Sequence, residues 1–234
     1  MELNTEISGE IMSKYAISDL HGCYDEFVMM LKLIGFSEED ELFILGDIFD
    51  RGDKPLEILD YIWGHKNIHL IKGNHEDMLQ ESLVNYEVRR FYEAVESKTY
   101  KEIIMRGPKF REKLYDYISA LPLYIISDDN VMVHAGILLP ENYRDLRIDE
   151  ILEMQKTETL LWTRDNIDKE IKIEGYNIIC GHTPVQAIDA DSEETKILKR
   201  NGTYYIDCGC IFKKLNGKLA CLRLEDKKEF YVLT

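Results

Sequence analysis

The feature that most constrains this chain is a repeated one: short apolar runs that end abruptly in Asp, His, Asn and Gly. Ile44-Leu-Gly-Asp-Ile-Phe-Asp-Arg-Gly52 is the richest example and reads as a buried strand running into a polar turn. Asp47 and Asp50 stand three apart there, Arg51 follows, and Gly46 and Gly52 bracket them. Two acids and an arginine beside an apolar run are costly to bury without partners of opposite charge. Flanking glycines let the backbone turn with positive φ or approach a ligand closely. The same transition recurs where Lys14–Ser18 meets Asp19-Leu-His21-Gly22, and where Ile68–Ile71 meets Gly73-Asn74-His75-Glu76. It recurs again where Val131–Val133 meets His134-Ala-Gly136, and where Tyr176–Ile179 meets Cys180-Gly181-His182-Thr183.

Between the first three of these runs the apolar residues switch to helical spacing. Phe27, Met30, Leu31 and Ile34 form one such set, closed by Gly35; Leu56, Ile58, Leu59 and Ile62 form another, opened by Pro55 and stopped near Gly64. Strand, helix, strand, helix, strand is the rhythm of a parallel sheet, with ligands expected at the C-terminal strand ends. From about 77 to 121 the pattern is helical and rich in Glu, Lys, Arg and Tyr, with a break at Gly107-Pro108. This predicts a helical insertion capping one side of the site. Leu123–Ile126, the Asp128–Asn130 turn and Val131–Val133 predict a hairpin. Thr203–Asp207, Leu219–Leu224 and Phe230–Leu233 predict antiparallel strands with a turn at Asn216-Gly217. Residues 1–13 read as a polar tail, with Met12 as an alternative functional start. Residues 14–234 read as a single α/β domain with a two-sheet core.

The charge balance, 29 basic against 44 acidic residues for a net −15, argues against nucleic acid or an anionic membrane as the main partner. Bound divalent cations would reverse that sign locally. The cysteines (Cys23, Cys180, Cys208, Cys210, Cys221) are odd in number and scattered, which points to a reducing cytoplasm rather than a disulfide framework. No apolar run approaches the ~18–20 residues of a membrane span, and no secretory pattern opens the chain.

Taken singly, each motif is ordinary: a turn, a surface pair, or a helix cap at Asn74 followed by a solvated His75. Five of them in order, each after a strand, are not. Carboxylate, amide oxygen and imidazole together suit first-row dications such as manganese, iron or zinc. There are too many ligands for one ion with an open position, and about the number for two ions sharing a carboxylate, roughly 3.5–4 Å apart in such sites.

Asp19-x-His21, Gly46-Asp47-x-x-Asp50-Arg51-Gly52, Gly73-Asn74-His75-Glu76, His134-Ala-Gly136 and Gly181-His182 resemble the motifs of the calcineurin-like metallophosphoesterase superfamily. Asp50-Arg51-Gly52, Asn74-His75-Glu76 and Leu161-Trp-Thr-Arg164 look like its phosphoprotein phosphatase family, in particular the short bacterial and phage lambda-phosphatase type. The resemblance covers roughly Tyr15 to Asp207 and implies a two-sheet β-sandwich flanked by helices. It implies one metal on Asp19, His21 and Asp47 and a second on Asp47, Asn74, His134 and His182, with manganese the first choice. It further implies His75 as general acid, Asp50 as its orienting partner, and Arg51 and Arg164, with Asn74, around the substrate phosphate. The implied activity is a phosphomonoesterase acting on phosphoserine, phosphothreonine and also phosphotyrosine of a protein or peptide, by in-line attack of a metal-bridging hydroxide. The chemistry agrees: phosphoryl transfer needs charge neutralisation, bidentate arginine contacts and a proton for the leaving oxygen.

The main competing substrate is a symmetrical dinucleoside tetraphosphate, whose hydrolases share the five motifs. Those relatives usually carry Asn at the Asp50 position, which favours monoesters here, yet the tail Asp207-Cys-Gly-Cys210 with Leu219–Leu224 also resembles small bacterial dinucleoside-polyphosphate enzymes. Nucleic-acid substrates rank third. A non-catalytic binding module held by metal is disfavoured, because it would need none of His75, Asp50, Arg51 and Arg164. His65 and His69 match no motif, Cys208-Gly-Cys210 has the wrong spacing for a zinc knuckle, and Asp207 reads equally as a turn or as an active-site partner. Tyr86, Tyr92, Tyr115 and Tyr117 are assigned to amphipathic packing rather than to a substrate groove.

Overall fold

The computed structural model describes residues 12–234; residues 1–11 of the expected tail lie outside the described residues. The chain begins with β1 (Lys14–Ile17), α1 (Tyr24–Ile34), β2 (Glu41–Ile44), α2 (Pro55–Gly64) and β3 (Ile68–Leu70). Four helices follow with no strand between them: α3 (Asn74–Val84), α4 (Tyr86–Ala94), α5 (Lys98–Arg106) and α6 (Pro108–Ser119). The remainder runs β4 (Tyr124–Ser127), β5 (Asn130–Val133), α7 (Ile148–Glu153), α8 (Thr157–Trp162), β6 (Asn177–Cys180), α9 (Val185–Ile188) and β7 (Leu198–Arg200). It closes with β8 (Thr203–Tyr205), β9 (Lys218–Arg223) and β10 (Glu229–Leu233). Among the described residues, no helix is long and apolar enough to cross a membrane.

The strands form two five-stranded sheets, β10-β9-β1-β2-β3 and β4-β5-β6-β8-β7. In the first, β1, β2 and β3 are parallel while β9 and β10 join antiparallel. In the second, β5, β6 and β8 are parallel and the edge strands β4 and β7 are antiparallel. Alternation along the strands decides the layering. Tyr15, Ile17, Leu42, Ile44, Leu219 and Cys221 pack toward the helices, with Phe27 and Met30 of α1 and Leu56 and Leu59 of α2. Their neighbours Ala16, Phe43, Ala220 and Leu222 face the second sheet and meet Val131, Ile179 and Tyr204. A strand buried on both faces reads as a continuous apolar run, which is why β1 and β2 carry so little polarity. The architecture is an α/β fold of two mixed sheets flanked by helices, as expected.

Two parts of the chain depart from expectation. The helical stretch begins at Asn74, not 77, because Asn74 and His75 are themselves the first residues of α3. The tail is not one antiparallel set: β8 lies parallel to β6, while β9 and β10 belong to the other sheet. The antiparallel partner of β8 is β7, whose alternating Leu198-Lys-Arg200 carries too little apolar signal to be read as a strand. Asn216 is left-handed at φ 54° but precedes β9 rather than joining two paired strands.

The parallel ladder continues beyond the sheet and carries the loops with it. Leu45 N–H donates to Ile17 O at 2.8 Å, Asp19 N–H to Gly46 O at 3.2 Å, and His21 N–H to Asp47 O at 2.9 Å. Gly46 is required where it stands, since its φ is 85° and a Cβ there would lie 2.6 Å from the Gly73 backbone. Gly46→Ala should therefore lose about 2 kcal/mol or more of stability, read as a lower midpoint in chemical denaturation. An unchanged midpoint would contradict this packing of the β2 and β3 loops.

Candidate metal centre

Six parallel strands end on one side of the molecule, and their C-terminal loops bring the motifs together. Asp19 and His21 follow β1; Asp47, Asp50 and Arg51 follow β2; Asn74 and His75 follow β3; His134 follows β5, His182 follows β6 and Asp207 follows β8. The two sheets are joined there by side chains. His134 Nδ1–H donates to Leu45 O at 2.7 Å, and the Asp19 carboxylate accepts His182 N–H at 2.9 Å. Among the described residues, six of the eleven non-glycine residues with positive φ belong to this cluster: Asp19, His21, Asp47, Asp50, Arg51 and His182. Left-handed backbone costs of order 1 kcal/mol per residue and persists only where surroundings hold it, a pattern typical of functional sites.

Asp47 is the centre. Its carboxylate is almost inaccessible to solvent and faces two groups with two different oxygens. His21 Nε2 lies 3.6 Å and His75 Nε2 3.9 Å from Oδ2, whereas His134 Nε2 lies 3.4 Å from Oδ1. His21, Asp47 and His75 form one set, and Asp47, His134 and His182 another, in which the ligand atoms all lie within 4.8 Å of one another. Asn74 Oδ1 sits 2.8 Å from His134 Nε2 and 2.9 Å from His182 Nδ1. Asp19 is in neither triad, and its Oδ2 is held by His182 N–H.

The donor chemistry fits dications. His21 Nδ1–H donates to Phe49 O at 2.8 Å, as His134 does to Leu45, so both tautomers leave a lone pair on Nε2. Burial pushes the His21 imidazole down to about 4 and lowers that of His134. Burial, with the charges of His134 and Arg164, pushes His182 down to about 3. These rings are neutral at neutral pH, so His134 Nε2 and Asn74 Oδ1 face each other as two acceptors, an arrangement that a shared cation resolves. His182 Nε2 is buried with no hydrogen-bond partner. Burial works to raise Asp47, but the surrounding imidazoles hold it below the usual carboxylate range. Burial, Asp207 and Asp47 push Asp19 up, and burial pushes Asp207 up to about 7. Among the described residues, no Lys or Arg comes within ion-pair distance of any of these three acids. Apart from His75, whose Nε2 lies 3.9 Å from Asp47, the described residues offer these acids no cationic partner.

His75 stands at the edge of the cluster with a different set of partners. Its Nδ1 is 2.8 Å from Asp50 Oδ2 and its Nε2 3.2 Å from Arg51 Nη2. Burial lowers its affinity for a proton, yet the Asp50 hydrogen bond and the Asp47 charge outweigh burial, so the net shift is upward. Asp50 is in turn gripped by the helical stretch: Tyr92 OH donates to Oδ2 at 3.0 Å, Ser97 OH to Oδ1 at 3.4 Å, and Asp50 N–H to Thr99 Oγ1 at 3.1 Å. Tyr92, assigned from sequence to packing, is buried and also holds the partner of His75. Arg164, after α8, is exposed and close enough for its charge to act on His134 and His182. His65 and His69 join neither triad; they stack on Tyr61 and Phe43. All five cysteines are free and buried.

Glu76 is the residue whose importance the sequence hid. It is fully buried, and its carboxylate accepts Asp47 N–H at 2.7 Å, Ile48 N–H at 2.9 Å and Gly73 N–H at 2.7 Å. It ties the β2 loop to the start of α3. The available signal was its place three residues after Gly73, where a helix-capping glutamate reaches back to the backbone. Asn166, also missed, is buried against Gly136, and its Nδ2–H donates to Ala135 O at 3.3 Å. Glu76→Gln should turn an amide donor against backbone N–H groups and cost about 2 kcal/mol or more, measured by urea denaturation. A variant as stable as the parent would show that the three N–H groups do not depend on the carboxylate.

The family model for calcineurin-like phosphoesterases matches residues 12–209. A symmetrical bis(5'-nucleosyl)-tetraphosphatase of Neisseria meningitidis is 40% identical over 129 residues, which are 54% of this chain and 44% of that protein. The chain thus spans a little under half the length of the curated relatives it matches. Among solved structures, one provisionally described as a diadenosine tetraphosphatase has a TM-score of 0.63 at 17% identity, over 96% of this chain and 95% of that one. A protein serine/threonine phosphatase from Saccharomyces cerevisiae has a TM-score of 0.58 at 13% identity, over 95% of this chain and 79% of that one. These two likenesses are of fold. With its family model spanning most of the sequence, the chain belongs to the calcineurin-like phosphoesterase family.

Proposed function

We propose that this chain is a metal-dependent phosphohydrolase that cleaves a dinucleoside tetraphosphate symmetrically, into two nucleoside diphosphates. The observation that carries the hydrolase reading is Asp47, whose two oxygens face two separate sets of imidazoles. The substrate follows from the tetraphosphatase named among the relatives, which outweighs the phosphoprotein substrate expected from motif form alone.

One ion would be held by Asp19, His21 and Asp47, the other by Asp47, Asn74, His134 and His182, with manganese the first candidate. When bound, such a pair lowers the pKa of water for attack on phosphorus and offsets phosphate charge. Arg51 and Arg164 hold the phosphate oxygens. A water, having lost one proton to solvent, forms an O–P bond to one of the two central phosphorus atoms, the bond from that phosphorus to the central bridging oxygen breaks, and His75 gives its proton to that departing oxygen. Asp50 keeps the imidazole oriented and charged for that transfer, and Tyr92 and Ser97 keep Asp50 in place. The second reading, a phosphoprotein phosphatase, is favoured by that same carboxylate partner. A serine alkoxide is a far poorer leaving group than a phosphate oxygen and needs a fully supported acid.

Two measurements separate the readings. Manganese-loaded protein assayed on diadenosine tetraphosphate and on a phosphoserine/phosphothreonine peptide should release ADP faster than phosphate. The reverse order would establish the monoesterase. His75→Asn should slow turnover of an alkyl phosphate more than that of the dinucleotide while leaving metal content intact. Loss of metal in that variant would remove His75 from the role of acid and make it a ligand.

A further inference from the structure

A cavity of about 450 Å³ opens beside the candidate centre, and its lining combines charged, polar and apolar side chains. His75 and Arg51 line it, together with Met78 of α3, Phe91 of α4 and Val95, the residue just past the end of α4. Phe91 and Val95 are 52% and 55% exposed although large and apolar, so they are not in place to fill the core. Beyond Arg51 and His75, the polar side chains that line this space have partners within the protein. Tyr92 and Ser97 hydrogen-bond Asp50, Lys98 pairs with Asp53 at 2.5 Å, and Glu96 pairs with Lys101 at 3.2 Å. No unsatisfied buried side-chain atom points into it among the described residues.

We propose that this cavity receives the nucleoside of the leaving nucleoside diphosphate, its base against Phe91, and that it reads the base by contact area rather than by hydrogen bonds. The proposal rests on the reading above, in which His75 protonates the departing oxygen, because that places the leaving group on the side of His75. The volume lies within the range of small-molecule sites, and the lining holds both kinds of group the ligand needs: Arg51 for phosphate, and an aromatic and aliphatic wall for a base. Strong discrimination between bases requires positioned donors and acceptors that the wrong base leaves unpaired. With its polar groups committed elsewhere, the cavity accepts adenine and guanine alike.

The test is equilibrium binding of ADP, GDP and inorganic phosphate to the manganese-loaded protein by calorimetry, with turnover of diadenosine tetraphosphate measured alongside. Stacking of one base on an aromatic side chain is worth roughly 1–3 kcal/mol, or about 5- to 150-fold. Phe91→Ala should weaken ADP and GDP by at least fivefold each, leave phosphate unchanged, and be restored by Phe91→Trp. Phe91 is half exposed, so its truncation should not unfold the chain. ADP binding unaffected by Phe91→Ala, or a large preference for ADP over GDP in the parent protein, would overturn the proposal. Absence of dinucleotide turnover with ADP binding still dependent on Phe91 would instead overturn the substrate reading and leave a nucleotide-binding cavity in place.

Discussion

A buried carboxylate flanked by imidazoles on both of its oxygens is the constraint on which this structure turns. Asp47 cannot be buried, charged and uncompensated without a large cost, yet no Lys or Arg pairs with it among the described residues, and His21 and His134 face it with unprotonated Nε2 atoms. That arrangement leaves room for positive charge from outside the chain. The surrounding architecture serves to keep the donors in place. The ladder between β1 and β2 continues into their loops, Glu76 draws three N–H groups to one point, and the second sheet approaches close enough for His134 to reach Leu45. Without these restraints six residues would not stay in left-handed backbone.

In the proposed mechanism the helices between Asn74 and Ser119 act on the chemistry through Asp50. A carboxylate that orients an imidazole is useful only if it cannot turn away, and Asp50 is held by Tyr92, Ser97 and Thr99 from α4 and the start of α5. Phe91 of α4 and Val95, just past its end, line the neighbouring cavity. On the proposed reading, acid strength and leaving-group recognition share one structural element, and a change in the position of α4 would alter both.

The parts legible in sequence were those with local signals. Apolar runs ending in Asp, His and Gly gave the strands β1, β2, β3, β5 and β6 and the loops after them, and Pro55, Gly35 and Gly107-Pro108 marked the helix boundaries. The residue types gathered at the candidate centre were legible for the same reason, because each sits at a strand end. What was not legible depends on distant contacts. Nothing near Tyr92 shows that its hydroxyl reaches Asp50, 42 residues earlier in the chain. The pairing of β8 with β6 rather than with β9 follows from sheet packing, not from either strand's composition. The place of His75 beside His21 and Asp47, and of Asp19 against the His182 backbone, depends on loops from both sheets meeting.

The most direct test of the central claim is the metal content of the purified chain beside that of Asp47→Asn, by calorimetric titration with manganese and elemental analysis. The account predicts two ions per parent chain, and loss of at least one when a single oxygen of the shared carboxylate is replaced by an amide nitrogen. A parent chain that binds one ion or none, or a variant that keeps both, would contradict it.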